Sequence, residues 1–524
     1  MANLPGELAD TVPNMFKLRQ AFYVPEGALQ PVKFGTSGHR GVLGAAFSIH
    51  HVLAVAQAVA DLRAELGYTG WALLGGDTRL MSAATARLCA EVLTANGATV
   101  VLAGHALPTP VFSLMIRTDE RFSDGIIGTA SHNPPMDMGI KYNPAHGGPA
   151  EETMTKKIQD LANEYLTGKR TVKRQSLDEA RAQGRLIEDM DLIGPYIKLL
   201  AQTVDLEAVK QSGLSLRIHP LGGAALPYFE ALIKWGITSM EVVDRTLDPT
   251  FGFVPLDHDC KIRMDPSSPY PLKPLLALVS ADRFEMAGAT DPDSDRFGVA
   301  TGKTGLLNPN HALCVAADYL MSNRTWPEGL TLGRTIGTTH LLDRIAAAHG
   351  RPAPDEVNVG FKWFVDGLVN DKYALVGEES AGLSFYRWTT EKDGIAAVML
   401  FAEIMAKTGK DVGELYQELA KRHGTSYYSR YDQPASDAAK SALKALTDAE
   451  VQKRLASVGG KLAGDAVVRV RTTDGIKLYL ADDHGWVLAR PSGTEAIVKL
   501  YTESFVSEAH RAQLQAEAAK LFGL

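Results

Sequence analysis

Cysteine is scarce in this chain: Cys89, Cys260 and Cys314 are the only three in 524 residues, and they lie far apart. So few, so widely spaced, exclude a disulfide framework and match no zinc-ligand pattern; they read as ordinary thiols of a reducing compartment. Positive charge is not in excess either. A formal net charge of −7 argues against the general basic surface that nucleic acid or an anionic membrane would require. No run approaches the roughly 20 apolar residues of a membrane span, and Met1 to Arg19 lacks the apolar centre of a signal peptide. The expectation is a cytoplasmic protein with no nucleic-acid and no membrane partner. An anionic small molecule stays open, because a few arginines suffice to make a local field positive.

What is present is a soluble globular composition, 45% hydrophobic and 22% charged. The chain is too long for one core and divides into about three to five domains of ordinary size. Strand-like and helix-like segments alternate for most of its length, which predicts α/β layers. A helix over 50–66 leads to a strand at 71–74, and a helix over 82–96 to a strand at 98–103. A further strand leads into Ser131. The charged stretch 169–188 precedes a domain boundary near Asp205. A second unit runs through strands at 214–220, 240–243 and 284–290, the last ending on Asp291. A third begins near Met321 and carries a strand at 373–376 that ends at Gly377-Glu378-Glu379-Ser380. Each unit thus offers a polar loop at a strand end, where open α/β sheets bind ligands. After about Ser429 the pattern turns to short alternating strands with a hairpin signal at Asp474-Gly475 and a last helix capped by Ser507. The expected division is 1–205, 206–320 and 321–429 as three similar α/β domains with mixed sheets between helices, then 430–524 as a smaller α+β domain, the four around a central cleft.

Chemistry concentrates in a few loops. In Gly128-Thr129-Ala130-Ser131-His132-Asn133-Pro134-Pro135 a serine and a histidine stand side by side just after the apolar run Ile126-Ile127. A hydroxyl held at a strand end beside a proton-transfer group is what covalent group transfer needs. Asp291-Pro292-Asp293-Ser294-Asp295-Arg296 sets three carboxylates at alternate positions, a spacing that can converge on one hard divalent cation. A calcium EF-hand is excluded, since its sixth and twelfth positions are here Arg296 and Gly302; magnesium with open positions for a phosphoryl oxygen fits better. The nearby segment 298–304 imitates a phosphate-binding Walker loop, but Phe297 stands where its first glycine belongs, so 302–305 is a turn. Arg490-Pro491-Ser492-Gly493-Thr494-Glu495 offers a guanidinium, two hydroxyls and close backbone amides, a cradle for a phosphate dianion. Gly377-Glu378-Glu379-Ser380-Ala381-Gly382 offers carboxylates and a hydroxyl suited to sugar hydroxyls. Arg40, in Thr36-Ser37-Gly38-His39-Arg40-Gly41, and Lys141, ten residues beyond Ser131, add positive charge.

Taken together, and in this order, these motifs resemble the α-D-phosphohexomutase superfamily, in its long bacterial phosphoglucomutase form; Gly360-Phe361-Lys362-Trp363 and neighbouring residues fit as well. The resemblance spans nearly the whole chain. It implies an isomerase that interconverts glucose 1-phosphate and glucose 6-phosphate, with a phosphoserine at Ser131. It implies Mg²⁺ on Asp291, Asp293, Asp295 and a phosphoserine oxygen, and glucose 1,6-bisphosphate as intermediate and activator. Arg296 and Arg40 would neutralise charge, while Arg490, Ser492, Gly493 and Thr494 would hold the phosphate that is not reacting. Glu378 and Ser380 would read the sugar, Lys362 would contact substrate, and His132, Lys141 and Lys392 are the candidates for proton transfer or charge stabilisation. A hexose phosphate is the implied partner, with the protein a monomer or homodimer. One departure is Val359, where some relatives carry threonine; a backbone contact is expected there instead. Rival readings are a phosphomannomutase-type enzyme, a magnesium-dependent sugar phosphatase, or a non-catalytic sugar-phosphate sensor. Closure of the last domain over the cleft is also expected, because a bisphosphate that must stay bound needs protection from water.

Overall fold

A computed structural model describes residues 4–35, 38–493 and 496–524. Its central motif occurs three times. In the first sheet, Trp71–Gly76 pairs in parallel with Val100–Leu102 on one side and Phe122–Gly128 on the other, and Phe122–Gly128 turns back antiparallel into Asp137–Asn143. In the second, Ser215–His219 takes the place of the first strand, beside Met240–Val242 and Glu285–Thr290, and the return strand is Phe297–Thr301. In the third, Thr331–Thr335 lies between Asp355–Val357 and Tyr373–Glu378, with Gly382–Phe385 returning. The hairpin turns of the three units are the Ser131 loop, the Asp291–Arg296 loop and the Glu379–Ala381 loop. Each contains a non-glycine residue in the left-handed region: Ser131 at φ 54°, Ser294 at φ 63° and Ala381 at φ 66°. The sequences of the three turns share almost nothing, yet the backbone solution is the same.

Central strands such as Trp71–Gly76 and Glu285–Thr290 are apolar or small at successive positions because helices cover both faces. The helix Gly394–Thr408 is buried on every face along Gly394–Met405, as an all-round apolar helix must be. It lies against strands of the second unit and the returning strand of the third. Gly288 permits that approach, since a Cβ there would stand 2.5 Å from a Val398 methyl. Beneath the first sheet, Arg63 pairs with fully buried Asp124, which also accepts from Tyr142 Oη at 3.0 Å.

The C-terminal sheet is entirely antiparallel, in the order Tyr427–Pro434, Ile497–Ser504, Gly485–Pro491, Ile476–Leu480, Asp465–Arg471, Lys461–Leu462. Asp474 (φ 59°) and Gly475 (φ 106°) make the tight hairpin that their sequence signals. Ser507 Oγ accepts from His510 N at 3.1 Å and caps the last helix, Glu508–Phe522. This unit rests on the third through buried ions. Lys477 donates to Glu356 Oε2 at 2.7 Å and to the Ile336 carbonyl at 2.6 Å. Buried Glu503 accepts from Trp486 Nε1 at 2.6 Å and from His340 N at 2.8 Å. Among the described residues no helix is long and apolar enough to cross a membrane.

Removing one partner of a buried pair strands the other. Asp124→Ala is therefore expected to destabilise the first unit by ~3–5 kcal/mol, seen as an early, separate transition in differential scanning calorimetry.

Candidate active site

The first two hairpin turns meet. Ser131 is buried, and its left-handed backbone carries a cost of ~1–2 kcal/mol for a residue with a Cβ. That conformation turns the side chain across the domain boundary, so that Oγ donates to Asp291 Oδ2 at 2.6 Å. His132 Nδ1 stands 3.2 Å from the same oxygen. The Ser131 amide is fixed by Thr129 Oγ1, which accepts it at 2.8 Å.

Asp291, Asp293 and Asp295 are all buried, and each offers a carboxylate oxygen within 4.8 Å of the other two. Alternate spacing in a tight turn produces the convergence anticipated from sequence. Burial and the two neighbouring carboxylates hold the Asp291 carboxyl well above the ordinary range. Burial works the same way on Asp293, but the Lys141 ammonium outweighs it and holds that carboxyl below the ordinary range. One oxygen of each of two members, Asp293 Oδ1 and Asp295 Oδ1, is buried with no hydrogen-bond partner in the protein. Buried acceptors are normally satisfied. Two bare carboxylate oxygens in one cluster form a donor set suited to a hard divalent cation.

Positive charge arrives from three units. Lys141 lies on the return strand of the first hairpin and donates to Asp293 Oδ2 at 2.8 Å and Asp295 Oδ2 at 3.3 Å. Lys392, from the third unit, stands 3.2 Å from Asp295 Oδ2 and 3.5 Å from Glu391 Oε1. For both lysines burial favours the neutral form, but the facing carboxylates prevail and hold the ammonium above its ordinary value, Lys392 well above it. Arg296 donates its backbone N–H to Asp291 Oδ1 at 3.0 Å, and its guanidinium is 4.0 Å from Asp295 Oδ1. Arg40, opposite Gly139 in the sheet, contributes its field at Asp293 and His132. His132 goes the other way: burial and then Arg296 push its imidazole down to about 3, so it is neutral at neutral pH.

Sequence reasoning missed Thr109. Its Oγ1 donates to Asp293 Oδ2 at 2.9 Å and its amide to the Asp293 carbonyl at 2.8 Å. The signal was a hydroxyl between two prolines, Pro108 and Pro110, at a helix start.

Of the sugar loop, Glu378 ends a buried strand, and burial raises its carboxyl. Ser380 is half-buried beside it. Glu379 points elsewhere, accepting from Thr335 Oγ1 at 2.9 Å. Lys392 reaches the aspartates only because residue 382 is glycine: a Cβ there would lie 2.1 Å from Lys392 Cδ.

Lys362 and Arg490 are brought to each other rather than to the aspartates. They line a polar cleft of about 290 Å³ with Gly35 and Glu152 of the first unit and with Val359 and Asp474. Lys362 Nζ is 3.6 Å from Glu152 Oε2. Asp474 accepts from Arg490 Nε at 2.9 Å and from the Val359 amide at 2.7 Å, so the backbone contact expected of Val359 is made within the protein. Ser492 is buried and Gly493 exposed just beyond Arg490. Thr494 lies outside the described residues, as do Thr36 and Ser37.

With this geometry in hand, similarity to known proteins is informative. The four phosphoglucomutase/phosphomannomutase domain models match in order: alpha/beta/alpha domain I at 31–168, domain II at 194–305, domain III at 308–423 and the C-terminal domain at 438–521. A phosphoglucomutase of Komagataeibacter xylinus is 42% identical over 97% of this chain and 94% of its own length. Parafusin, a phosphoglucomutase from Paramecium, shares the fold in an open form at TM-score 0.74 and 21% identity, covering 95% of this chain and 96% of its own. The Aspergillus fumigatus N-acetylphosphoglucosamine mutase, solved with GlcNAc-6P and magnesium, shares it at TM-score 0.58 and 16% identity over 98% and 99% of the two chains. The agreement covers every domain and nearly every residue, and the chain belongs to the phosphoglucomutase/phosphomannomutase family.

Proposed function

We propose that the protein is a phosphoglucomutase, which interconverts α-D-glucose 1-phosphate and glucose 6-phosphate through a phosphoserine and glucose 1,6-bisphosphate. The observation that carries this is the hydroxyl of Ser131, 2.6 Å from Asp291, in a buried carboxylate cluster with two unsatisfied oxygens. Glucose is favoured as the sugar because the relative that is 42% identical is a phosphoglucomutase. Asp291, Asp293 and Asp295 would hold Mg²⁺, as the donor set fits. When bound, that ion withdraws charge from phosphoryl oxygens.

The chain's own groups account for the rest. Transfer breaks the bond between Ser131 Oγ and phosphorus as the free sugar hydroxyl forms its own, in line. The proton of that hydroxyl needs an acceptor. Lys141 and Lys392 stay protonated and, with Arg296 and Arg40, balance the transferred charge, which leaves neutral His132 to take the proton; the dianionic phosphoryl group beside it would restore the basicity that burial and Arg296 lower. The bisphosphate then turns over, its other phosphoryl group moves to Ser131 Oγ, and His132 returns the proton to the sugar oxygen released. Arg490, Ser492, Gly493 and Thr494 would grip the distal phosphate, with Lys362 across the cleft, and Glu378 and Ser380 would bond sugar hydroxyls in either orientation. All these groups come from one chain.

In a coupled assay for glucose 6-phosphate with Mg²⁺ and a trace of glucose 1,6-bisphosphate, Ser131→Ala is expected to lose at least ~10³-fold in kcat. Free phosphate as the product would replace the mutase with a phosphatase, and turnover of mannose 1-phosphate above glucose 1-phosphate would replace the sugar. Chelation of divalent ions should abolish activity, and Mg²⁺ should restore it. Gly382→Ala blocks the path of Lys392, so kcat/KM is expected to fall by ~10²-fold, and the melting temperature is expected to fall as well because buried Asp295 loses a partner. Closure of the C-terminal domain should lower the radius of gyration in X-ray scattering when glucose 1,6-bisphosphate is added.

A further inference from the structure

The loop Gly76-Asp77-Thr78-Arg79 lies behind the serine turn, and the mechanism above makes no use of it. Its side chains close a ring around the Ser131 peptide groups. The Ser131 amide donates to Thr129 Oγ1, and the Thr129 hydroxyl donates onward to Asp77 Oδ2 at 2.6 Å. Asp77 Oδ2 lies 3.4 Å from Arg79 Nε, and its other oxygen accepts the Arg79 amide at 3.0 Å and the Ser82 hydroxyl. The guanidinium completes the circuit. Arg79 Nη2 donates to the carbonyls of Ser131 and Asn133, and Nη1 to those of Pro134 at 2.9 Å and Asp137 at 3.1 Å. One buried side chain therefore gathers four carbonyl oxygens of the turn, and with Asp77 and Thr129 it fixes both the N–H and the C=O of a residue at φ 54°.

The same loop is tied to the unit that supplies the aspartates. Thr78 Oγ1 donates to the Gly222 carbonyl at 2.6 Å, and the next residue but one, Ala224, donates its amide to the Pro292 carbonyl at 2.8 Å, inside the aspartate turn. The Arg79 guanidinium also lies 5.6 Å from the ring centre of Phe251, from the second unit. The arrangement holds two turns from different domains in register.

We infer that Asp77, Arg79 and Thr129 are positioning residues for phosphoryl transfer: they hold Ser131 in its left-handed conformation, and with it the aim of Oγ at the aspartate cluster. The role is distinct from substrate binding, because none of the three lines the polar cleft described above. It rests on the mutase reading, since a positioned Ser131 matters only if Ser131 carries the phosphoryl group. Lysine at position 79 keeps the charge but cannot span four carbonyls, as a planar five-donor fork can. Valine at 129 keeps the shape and removes both hydrogen bonds.

The test uses the full chain in the coupled assay, with melting temperatures measured alongside. Arg79→Lys and Thr129→Val are expected to lose ~10²-fold or more in kcat with KM for glucose 1-phosphate within ~3-fold, and Thr129→Ser to recover to within ~3-fold of wild type. Arg63→Lys, whose buried partner Asp124 lies near the start of Phe122–Gly128, the strand that leads into the Ser131 turn, serves as the control: its melting temperature falls and its kcat stays. Wild-type kcat in folded Arg79→Lys and Thr129→Val would overturn the inference. So would an equal kcat loss in Arg63→Lys, which would make the effect one of general stability. Ser131→Ala, run in parallel, separates the two levels of argument. If it turns over like wild type, the mutase reading itself fails; if it is dead while the ring variants are fully active, only the positioning role fails.

Discussion

Three carboxylates cannot share a buried pocket unless something answers their charge, and the structure around the active site is organised by that requirement. Asp291, Asp293 and Asp295 sit on one turn of the second domain, which itself supplies Arg296 nearby. Lys141 comes from the first domain and Lys392 from the third. The aspartate turn is thus the point at which three domains are electrostatically joined. Attraction between fully desolvated charges is strong, and an unmatched one is costly. The arrangement therefore favours the assembled site over any separation of its parts, and it leaves a site whose remaining open oxygens can accept a cation.

Triplication of one hairpin explains how such a meeting point arises. Each α/β domain places its functional turn after its central parallel strand, and each turn contains one left-handed residue. Equivalent backbones carry different side chains: a hydroxyl in the first, three carboxylates in the second, and Glu378, Glu379 and Ser380 in the third. The fourth domain departs from this plan. Its antiparallel sheet is fixed to the third domain by buried Lys477 and Glu503, while Asp474 links Arg490 to the Val359 amide at the cleft. The two domains are thus joined by buried charged groups on one side and by a half-buried contact on the other.

The division of labour among charged groups also follows from position. Lys141 and Lys392 face carboxylates and keep their protons, whereas burial, and after it the field of Arg296, holds His132 neutral. Three candidates that are indistinguishable in the sequence are therefore separated by their neighbours. The support beneath Ser131 belongs to the same lesson: Asp77 and Arg79 are unremarkable in a run of Gly-Gly-Asp-Thr-Arg until the turn folds over them.

What the sequence determined by itself was local. Strand and helix positions, the Asp474-Gly475 hairpin, the Ser507 cap and the alternate spacing of the three aspartates are all set by residues within a few positions of one another, where propensity and turn chemistry act directly. The motifs also carried the family, because each is a short run whose chemistry is complete in itself. The tertiary structure decided everything that depends on distance across the chain. It chose Asp293 as the partner of Lys141, turned Glu379 toward Thr335, gave the Val359 amide to Asp474 and enlisted Thr109 beside the aspartates. Charge pairing and protonation depend on which side chains share a buried space, and residues separated by 152 positions, as Lys141 and Asp293 are, share one only once the domains have packed.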